Sequence, residues 1–149
     1  MKRRCLANEA CPLMRGYNAI GDWWSLLIVT EMVLSGTRRF SDFQQRLGMA
    51  RNMLTDRLKK LCDQDIIMRV PAADGSAYHD YVPTETGTDL YKVIVALRQW
   101  GEKHFPLKKG ECGAIVDKKK KKKIKTLEVH AADGRVLNAE DLEVTGNEG

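Results

Sequence analysis

The segment from residue 41 to residue 82 constrains the fold most, because it begins with two helical patterns that are joined by one glycine. Residues 41–47 predict a short helix with Ser41 as its cap, and Gly48 predicts a tight turn. Residues 50–64 predict a longer helix that buries apolar side chains at positions i, i+4 and i+7, namely Leu54, Leu58 and Leu61. The opposite face of this helix is polar. This layout is typical of a helix-turn-helix.

A hairpin signal follows the two helices directly. Residues 66–70 and 78–82 predict two strands on either side of Asp74 and Gly75. A hairpin in this position forms a wing, whose tip can contact a neighbouring DNA groove or the phosphate backbone. We therefore predict a mainly α fold with a small β-hairpin wing, which is an α+β winged helix-turn-helix.

Helices on both sides of this segment carry more apolar surface than a small domain can cover. Pro12 suits the first position of one helix, Asp22 caps a second that runs to about residue 34, and Thr84 caps a last helix over residues 85–104. The last helix is predicted to bury Leu90, Val93, Ile94, Leu97 and Trp100. The excess of apolar surface predicts a homodimer interface formed by Trp24, Leu90, Val93, Leu97 and Trp100. The two tryptophans could instead line a ligand pocket, although core packing is the more ordinary role for such residues.

Composition excludes several classes of protein. The chain has 149 residues, 43% of them apolar, and a net charge of +5, which predicts a packed core and permits an anionic partner. It has no apolar run of the roughly 18 to 20 residues that span a bilayer, and no signal core follows its basic start. Its four cysteines include no Cys-x-x-Cys pair, so we predict a cytoplasmic protein without a metal or cofactor. No catalytic constellation is visible, and we predict that the chain is not an enzyme.

The last part of the chain differs from the rest. We predict a boundary near Pro106, with one domain over residues 1–106 and a small β-rich extension over residues 107–149. Residues 126–130 and 135–137 predict a hairpin, with residues 142–144 as a third strand, unless the extension is partly disordered. Six consecutive lysines, residues 118–123, form either a solvated loop or a site that adds salt-dependent affinity for nucleic acid.

Five short motifs within residues 8–105 resemble one family in their order and spacing. They are Cys11-Pro12, Ile20-Gly21-Asp22-x-Trp24, Arg38-Arg39-Phe40-x-x-Phe43, Leu54-x-x-Arg57-Leu58-x-x-Leu61 and Tyr81-x-x-Thr84-Glu85-x-Gly87. The chain resembles the HxlR-type transcriptional regulators, which are bacterial winged-helix proteins distantly similar to MarR regulators. The resemblance implies a homodimer, joined through its first and last helices, that binds a palindromic operator. For some members it also implies a response to electrophiles or oxidants through the cysteine that matches Cys11.

Three positions depart from the family pattern. Ala50 stands where many relatives have a capping serine, so we expect a less firmly fixed start of the helix over residues 50–64, which is the recognition helix of the helix-turn-helix. Asp65 stands where glycine often ends that helix, and we expect it to adopt the left-handed conformation. Pro83 stands where an apolar strand residue is common, and we expect it to shorten the second strand of the wing.

The recognition helix is predicted to carry the main contacts with double-stranded DNA. Arg51 and Asn52 are candidates for base edges, because arginine suits guanine and asparagine suits adenine. Arg57 can reach a phosphate or form a structural ion pair, and Asp56 is expected to pair with a nearby arginine. Contacts with phosphates are expected for Thr55, Lys59 and Lys60.

Further candidate residues lie outside that helix. Arg38 and Arg39 precede the short helix, where they would clamp the DNA backbone or lie in a solvated turn. Cys11, at a helix N-terminus near Arg15, is the candidate redox sensor, and its alternative role is that of a small packed cap residue. Cys5 is a candidate partner for its disulfide. Candidate wing contacts are Arg69, Ser76 and His79.

These features together predict a nucleoid-associated homodimeric regulator, more specifically a repressor that a small-molecule inducer or oxidation of Cys11 releases from its operator. The alternative is a nonspecific nucleic-acid-binding protein that uses the lysine-rich extension. A third class is a winged helix that contacts only other proteins.

Overall fold

The computed structural model describes residues 11–108, 110 and 112–144. The chain divides into two compact units, Met1–Ile94 and Val95–Gly149, and the division falls within the last long helix. The predicted domain boundary near Pro106 stays a prediction. Among the described residues, no helix is both long enough and apolar enough to cross a membrane.

The first unit begins with two helices whose starts are those predicted. Helix α1 spans Pro12–Ile20 with Cys11 at its N-cap, and α2 spans Trp23–Thr30 with Asp22 at its N-cap. The Asp22 carboxylate accepts the backbone N–H of Ser25 at 2.9 Å, which confirms the predicted cap. The chain then widens into a π-helical turn over Glu31–Ser35, which ends at Gly36 in the left-handed conformation.

The helix-turn-helix consists of α3, Phe40–Leu47, and α4, Arg51–Asp63, joined through Gly48 at a φ of 62°. The predicted cap of α3 is wrong, because the helix begins one residue before Ser41 and its N-cap is Arg39. Arg39 already has the extended backbone of a cap residue, and ion pairs hold its side chain against the wing. At the other end of α4, Asp65 has a φ of 53°, which confirms its predicted left-handed conformation.

The wing is an antiparallel hairpin of β1, Ile67–Pro71, and β2, His79–Pro83, with a register from Ile67 opposite Pro83 to Pro71 opposite His79. The expected shortening of the second strand at Pro83 is wrong. Thr84 donates its backbone N–H to the carbonyl of Ile66 at 3.1 Å, so the ladder continues on the far side of the proline.

The predicted last helix is capped by Thr84, whose hydroxyl oxygen accepts the N–H of Gly87 at 3.2 Å. It is not one helix, because α5, Glu85–Asp89, and α6, Tyr91–His104, are separated at Leu90. The N–H of Leu90 binds the carbonyl of Gly87 at 3.2 Å, and this three-residue step tightens the helix locally.

The core of the first unit lies between α2, α3, α4 and the base of the wing. Burial of Ile94 on α6 is confirmed, whereas Val93, Leu97 and Trp100 are 46%, 52% and 54% exposed in the single chain, so their burial in a dimer interface stays a prediction. The core placement favoured for the tryptophans therefore holds for Trp24, which packs partly buried against the core, and not for Trp100. The most completely buried apolar side chains, which include the three predicted on α4, are Ile28, Val29, Met32, Phe43, Leu54, Leu58, Leu61 and Ile67.

Within its described residues, the second unit contains two small hairpins after the C-terminal part of α6. The lysines at 118–123 lie in a tight exposed turn, which the pairing of Val116 with Lys123 closes. The hairpin that was predicted for the extension is the second of these, and it is confirmed as β3, Val129–His130, paired with β4, Val136–Leu137.

The predicted third strand of the extension is wrong, because residues 142–144 lie outside any strand. A 3₁₀ helix, Ala139–Asp141, comes directly before them. The backbone N–H of Asn138 donates to the Asp141 carboxylate at 2.8 Å, and this capping box turns the chain away from an extended path.

Candidate nucleic-acid interface

Helix α4 has one face in the core and one face in solvent. Leu54, Leu58 and Leu61 are buried, which fixes the rotation of the helix about its axis. Arg51 and Asn52 lie exposed in the first turn, where side chains of a recognition helix reach base edges. The Arg51 guanidinium lies 5.6 Å from the centre of the Phe40 ring, so the side chain rests against α3. Within the described residues, Arg51 has no carboxylate partner.

The exposed charges farther along α4 are paired with one another. Lys59 contacts Asp63 at 2.8 Å, and Lys60 contacts Asp56 at 3.2 Å. The hydrogen bond that Lys59 donates to Asp63 raises the pKa of Lys59, and the hydrogen bond that Lys60 donates to Asp56 lowers the pKa of Asp56. Exposed ion pairs of this kind contribute little stability because water screens them, so both lysines can exchange a carboxylate for a phosphate at little cost.

Two further residues of α4 are anchored locally. Arg57 is only 21% exposed and contacts Asp22, the cap of α2, at 2.5 Å and Asp56 at 2.5 Å. Of the two roles that the sequence allowed for Arg57, the structure shows the structural ion pair. The expected pairing of Asp56 with a nearby arginine is confirmed. Thr55 is exposed, and its hydroxyl donates to the carbonyl of Arg51 at 2.9 Å.

The two arginines before α3 are engaged within the protein rather than lying in a solvated turn. Arg38 donates from Nη1 to the carbonyls of Met32 at 2.9 Å and Thr37 at 3.0 Å. These bonds fix the end of the π-helical turn. Arg39 contacts Asp74 and Asp80, and both of these residues belong to the wing.

The candidate DNA-contacting residues of the wing lie on its two strands and in its tip. Arg69 on β1 is exposed, 5.9 Å from the Tyr81 ring, and His79 is exposed at the start of β2. Ser76 is half-buried in the tip, where its backbone N–H donates to Asp74 at 2.9 Å. Hydrogen bonds from Ser76, together with one from Arg39, lower the pKa of Asp74 to about 2. The sequence did not lead us to predict that Asp74 and Asp80 pair with Arg39. The signal that could have indicated it is an acidic residue on each side of a turn that is expected to face DNA.

The candidate sensor lies at the start of α1, and Trp24 of the candidate interface lies on α2. Cys11 is half-buried at the N-cap of α1, while Cys5 lies outside the described residues. Trp24 stacks on the exposed Trp23 with ring centres 4.1 Å apart. Among the described side chains, no group of three or more His, Cys, Asp or Glu is placed to hold a metal ion.

Comparisons with known proteins identify transcriptional regulators with a helix-turn-helix. A model of the family described as HxlR-like helix-turn-helix matches residues 19–109. The HTH-type transcriptional regulator Rv3095 of Mycobacterium tuberculosis is 38% identical over 96 residues, which are 64% of this chain and 60% of that relative. The chain thus spans less than two thirds of the length of this curated relative.

Two solved structures extend the comparison. The crystal structure of the transcription factor PA1607 is similar with a TM-score of 0.85 and 38% identity, covering 93% of this chain and 96% of that one. The transcriptional regulator YodB of Bacillus subtilis, in its reduced form, has a TM-score of 0.54 and 27% identity, covering 64% of this chain and 94% of that one. YodB has also been solved with a bound quinone.

Proposed function

The chain belongs to the HxlR-like helix-turn-helix family, and we propose that it is a homodimeric repressor that reads a palindromic operator with α4. At the coarser level it is a transcriptional regulator of the HxlR and MarR-like type, with a winged helix-turn-helix for DNA. The proposal concerns the finer points, which are the residues that contact DNA, the dimer, the cytoplasmic repressor role and the signal.

The exposed first turn of α4 is the observation that carries the proposal. Arg51 and Asn52 offer donors and acceptors suited to guanine and adenine, and the buried leucines of α4 fix the direction in which they point. Thr55, Lys59 and Lys60 follow on the solvent side of the helix, and we assign them to phosphates. Arg69, Ser76 and His79 on the wing would contact an adjacent stretch of backbone or groove.

The apolar side chains exposed on α6 support the proposed homodimer. Val93, Leu97 and Trp100 are spaced by four and three residues along the helix, and each is about half exposed. Leu90 and Trp24, both half-buried, complete the set of residues that we assign to the interface. A two-fold dimer would present its two α4 helices to major grooves about 34 to 36 Å apart.

We also propose that a signal releases the repressor from DNA. Cys11 at the N-cap of α1 is the candidate for oxidation or for addition of an electrophile, and the similarity to YodB, solved reduced and quinone-bound, supports it. Cys11→Ser is expected to bind DNA like the wild type and to lose the response to diamide or quinone. If the variant keeps the full response, a small-molecule inducer acting elsewhere replaces Cys11 in the proposal.

Fluorescence anisotropy tests the DNA-binding proposal with the reduced protein, the DNA upstream of its own gene and a scrambled duplex. Arg51→Ala and Asn52→Ala are each expected to lose about 1 to 3 kcal/mol on the specific duplex, or about 5- to 150-fold, with a much smaller loss on the scrambled one. Arg135→Ala, which removes an exposed arginine of the second unit, is the charge-matched control and should bind like the wild type. Equal loss in all three variants would refute base readout by α4.

The alternative function is nonspecific binding of nucleic acid through the lysine turn at 118–123. The observation that favours it is the run of six exposed lysines in one turn. Similar affinity for the upstream and scrambled duplexes, with a steep dependence on salt that disappears when the six lysines are replaced by glutamine, would support this function over the repressor.

A further inference from the structure

The side chain of Arg39 connects the start of α3 to the wing. Its Nε lies 3.2 Å from the Asp80 carboxylate on β2, and its Nη2 contacts the Asp74 carboxylate at the wing tip. The guanidinium also lies 5.8 Å from the centre of the Tyr78 ring. Three groups of the wing, 35 to 41 residues farther along the chain, thus converge on one arginine.

Asp80 depends on this arginine because it is buried. Its side chain is only 13% exposed, and besides Arg39 it accepts the backbone N–H of Ala73 at 3.4 Å. A carboxylate at this depth is costly to leave without a positive partner. The strand β2 is therefore held next to the wing tip by the ion pair of Asp80 with Arg39, a residue that lies outside the wing.

Asp74 depends on Arg39 for a different reason. It lies at the tip of the hairpin, it is 56% exposed, and its lowered pKa keeps it ionised at physiological pH. A negative charge on a tip that faces phosphates would oppose binding. Arg39 places a positive charge directly against this carboxylate, which cancels most of that repulsion.

We propose that Arg39 is a positioning residue for DNA binding, which holds the wing tip and neutralises it, rather than a clamp on the DNA backbone. This inference rests on the proposed function, because it concerns how the wing meets the operator. Two nitrogen atoms of Arg39 already bind carboxylates of the wing, so a contact with phosphate would require the breaking of these pairs. The sequence offered Arg39 as a clamp, and the geometry assigns it to the support of the wing.

The test compares Arg39→Gln, Asp80→Asn and the double variant in two measurements. Hydrogen exchange of the free protein reports the order of residues 72–78, and anisotropy reports affinity for the specific duplex. We expect each single variant to exchange faster at the wing tip and to bind about 2- to 30-fold more weakly. The double variant should lose no more than Arg39→Gln alone, because Arg39→Gln already removes the interaction with Asp80. Arg135→Gln is the control for loss of an exposed arginine.

Asp80→Asn separates positioning from clamping. If Arg39 clamped a phosphate, removing the charge of Asp80 would free it, and Asp80→Asn would bind as tightly as the wild type or more tightly. That result, or wild-type exchange at residues 72–78 in Arg39→Gln, would overturn the proposal.

Two controls keep the test interpretable. Arg39→Lys, which keeps the charge with one donor group, is expected to restore part of the affinity, and circular dichroism confirms that every variant is folded. If the wild type does not distinguish specific from scrambled DNA, the proposed function fails. Faster exchange at the wing in both single variants would still support the structural role of Arg39.

Discussion

Replacing Gly87 by alanine should destabilise the protein by about 2 to 4 kcal/mol, because α5 packs its backbone directly against the carbonyl of Ile66. A Cβ atom on Gly87 would lie 2.0 Å from that oxygen and 3.1 Å from its carbon. Ordinary contact begins at 3.4 Å, so the two segments would have to separate by about 1.4 Å. Both atoms belong to the backbone, and no side-chain rotation can relieve the clash.

The separation would also break hydrogen bonds at the same carbonyl. The Ile66 oxygen accepts the backbone N–H of Thr84 at 3.1 Å and its hydroxyl at 2.9 Å. Two hydrogen bonds at about 1 kcal/mol each, with about 1 to 3 kcal/mol for overpacking, oppose a gain of about 1 kcal/mol from the better helix propensity of alanine. The net loss is therefore several times the gain.

Urea unfolding at one fixed protein concentration, followed by circular dichroism, measures this loss. Gly16→Ala and Gly101→Ala are matched controls, because both glycines are helical and, apart from the adjacent residues and the backbone of the same helix, no atom of the described residues lies within 4 Å of the added Cβ. Both controls should be as stable as the wild type or up to about 1 kcal/mol more stable. If Gly87→Ala is as stable as these controls, the close packing of α5 on Ile66 is wrong.

Three further predictions concern the core, a thiol and the extension. Leu58→Ala, at a site only 1% exposed, should lose about 2 to 5 kcal/mol in the same unfolding assay, and a loss below about 1 kcal/mol would contradict the orientation of α4. Cys62 should react with iodoacetamide at pH 8 more slowly than the exposed Cys112, as followed by peptide mass spectrometry, because burial raises the pKa of Cys62 and the thiolate is the reactive form; the reverse order would refute its burial. Replacing the lysines at 118–123 by glutamine should flatten the dependence of log K on log salt by about 0.9 per lost phosphate contact and leave the ratio of specific to scrambled affinity unchanged. An unchanged slope would exclude these lysines from the DNA contact.

Local signals in the sequence were sufficient for most of the fold. Asp22 caps α2 through a backbone N–H three residues away, and Gly48 turns the chain with its own φ. The three leucines of α4 are buried as their spacing predicts. Each of these features depends on residues within two turns of one another, which is the range over which a pattern can be interpreted without a tertiary structure.

The corrections come from polar pairings, some between residues far apart in the chain and some between near neighbours. The helix α3 starts one residue earlier than predicted, and its N-cap Arg39 pairs with Asp74 and Asp80. No local pattern encodes a pairing across 35 or 41 residues. The end of the extension is a 3₁₀ turn because Asn138 and Asp141 cap each other. Polar pairings of this kind decide details that apolar periodicity leaves open.

The same distinction applies to the candidate site. Exposure of Arg51 and Asn52 follows from the periodicity of α4, so the sequence could predict it. The sequence could not decide between the two roles of Arg57, because its partner Asp22 caps a different helix.

The central claim is that the first turn of α4 reads the base sequence of an operator as part of a dimer. This claim can be tested without knowing the operator sequence. Bound duplexes are selected from a random library by the wild type and by Asn52→Ala in parallel. The wild type should enrich an inverted repeat whose half-sites are centred about 10 base pairs, or one helical turn, apart. Asn52→Ala should lose its preference at one position, symmetrically in both half-sites. Failure to enrich a motif, or the same motif from both proteins, would contradict readout by α4.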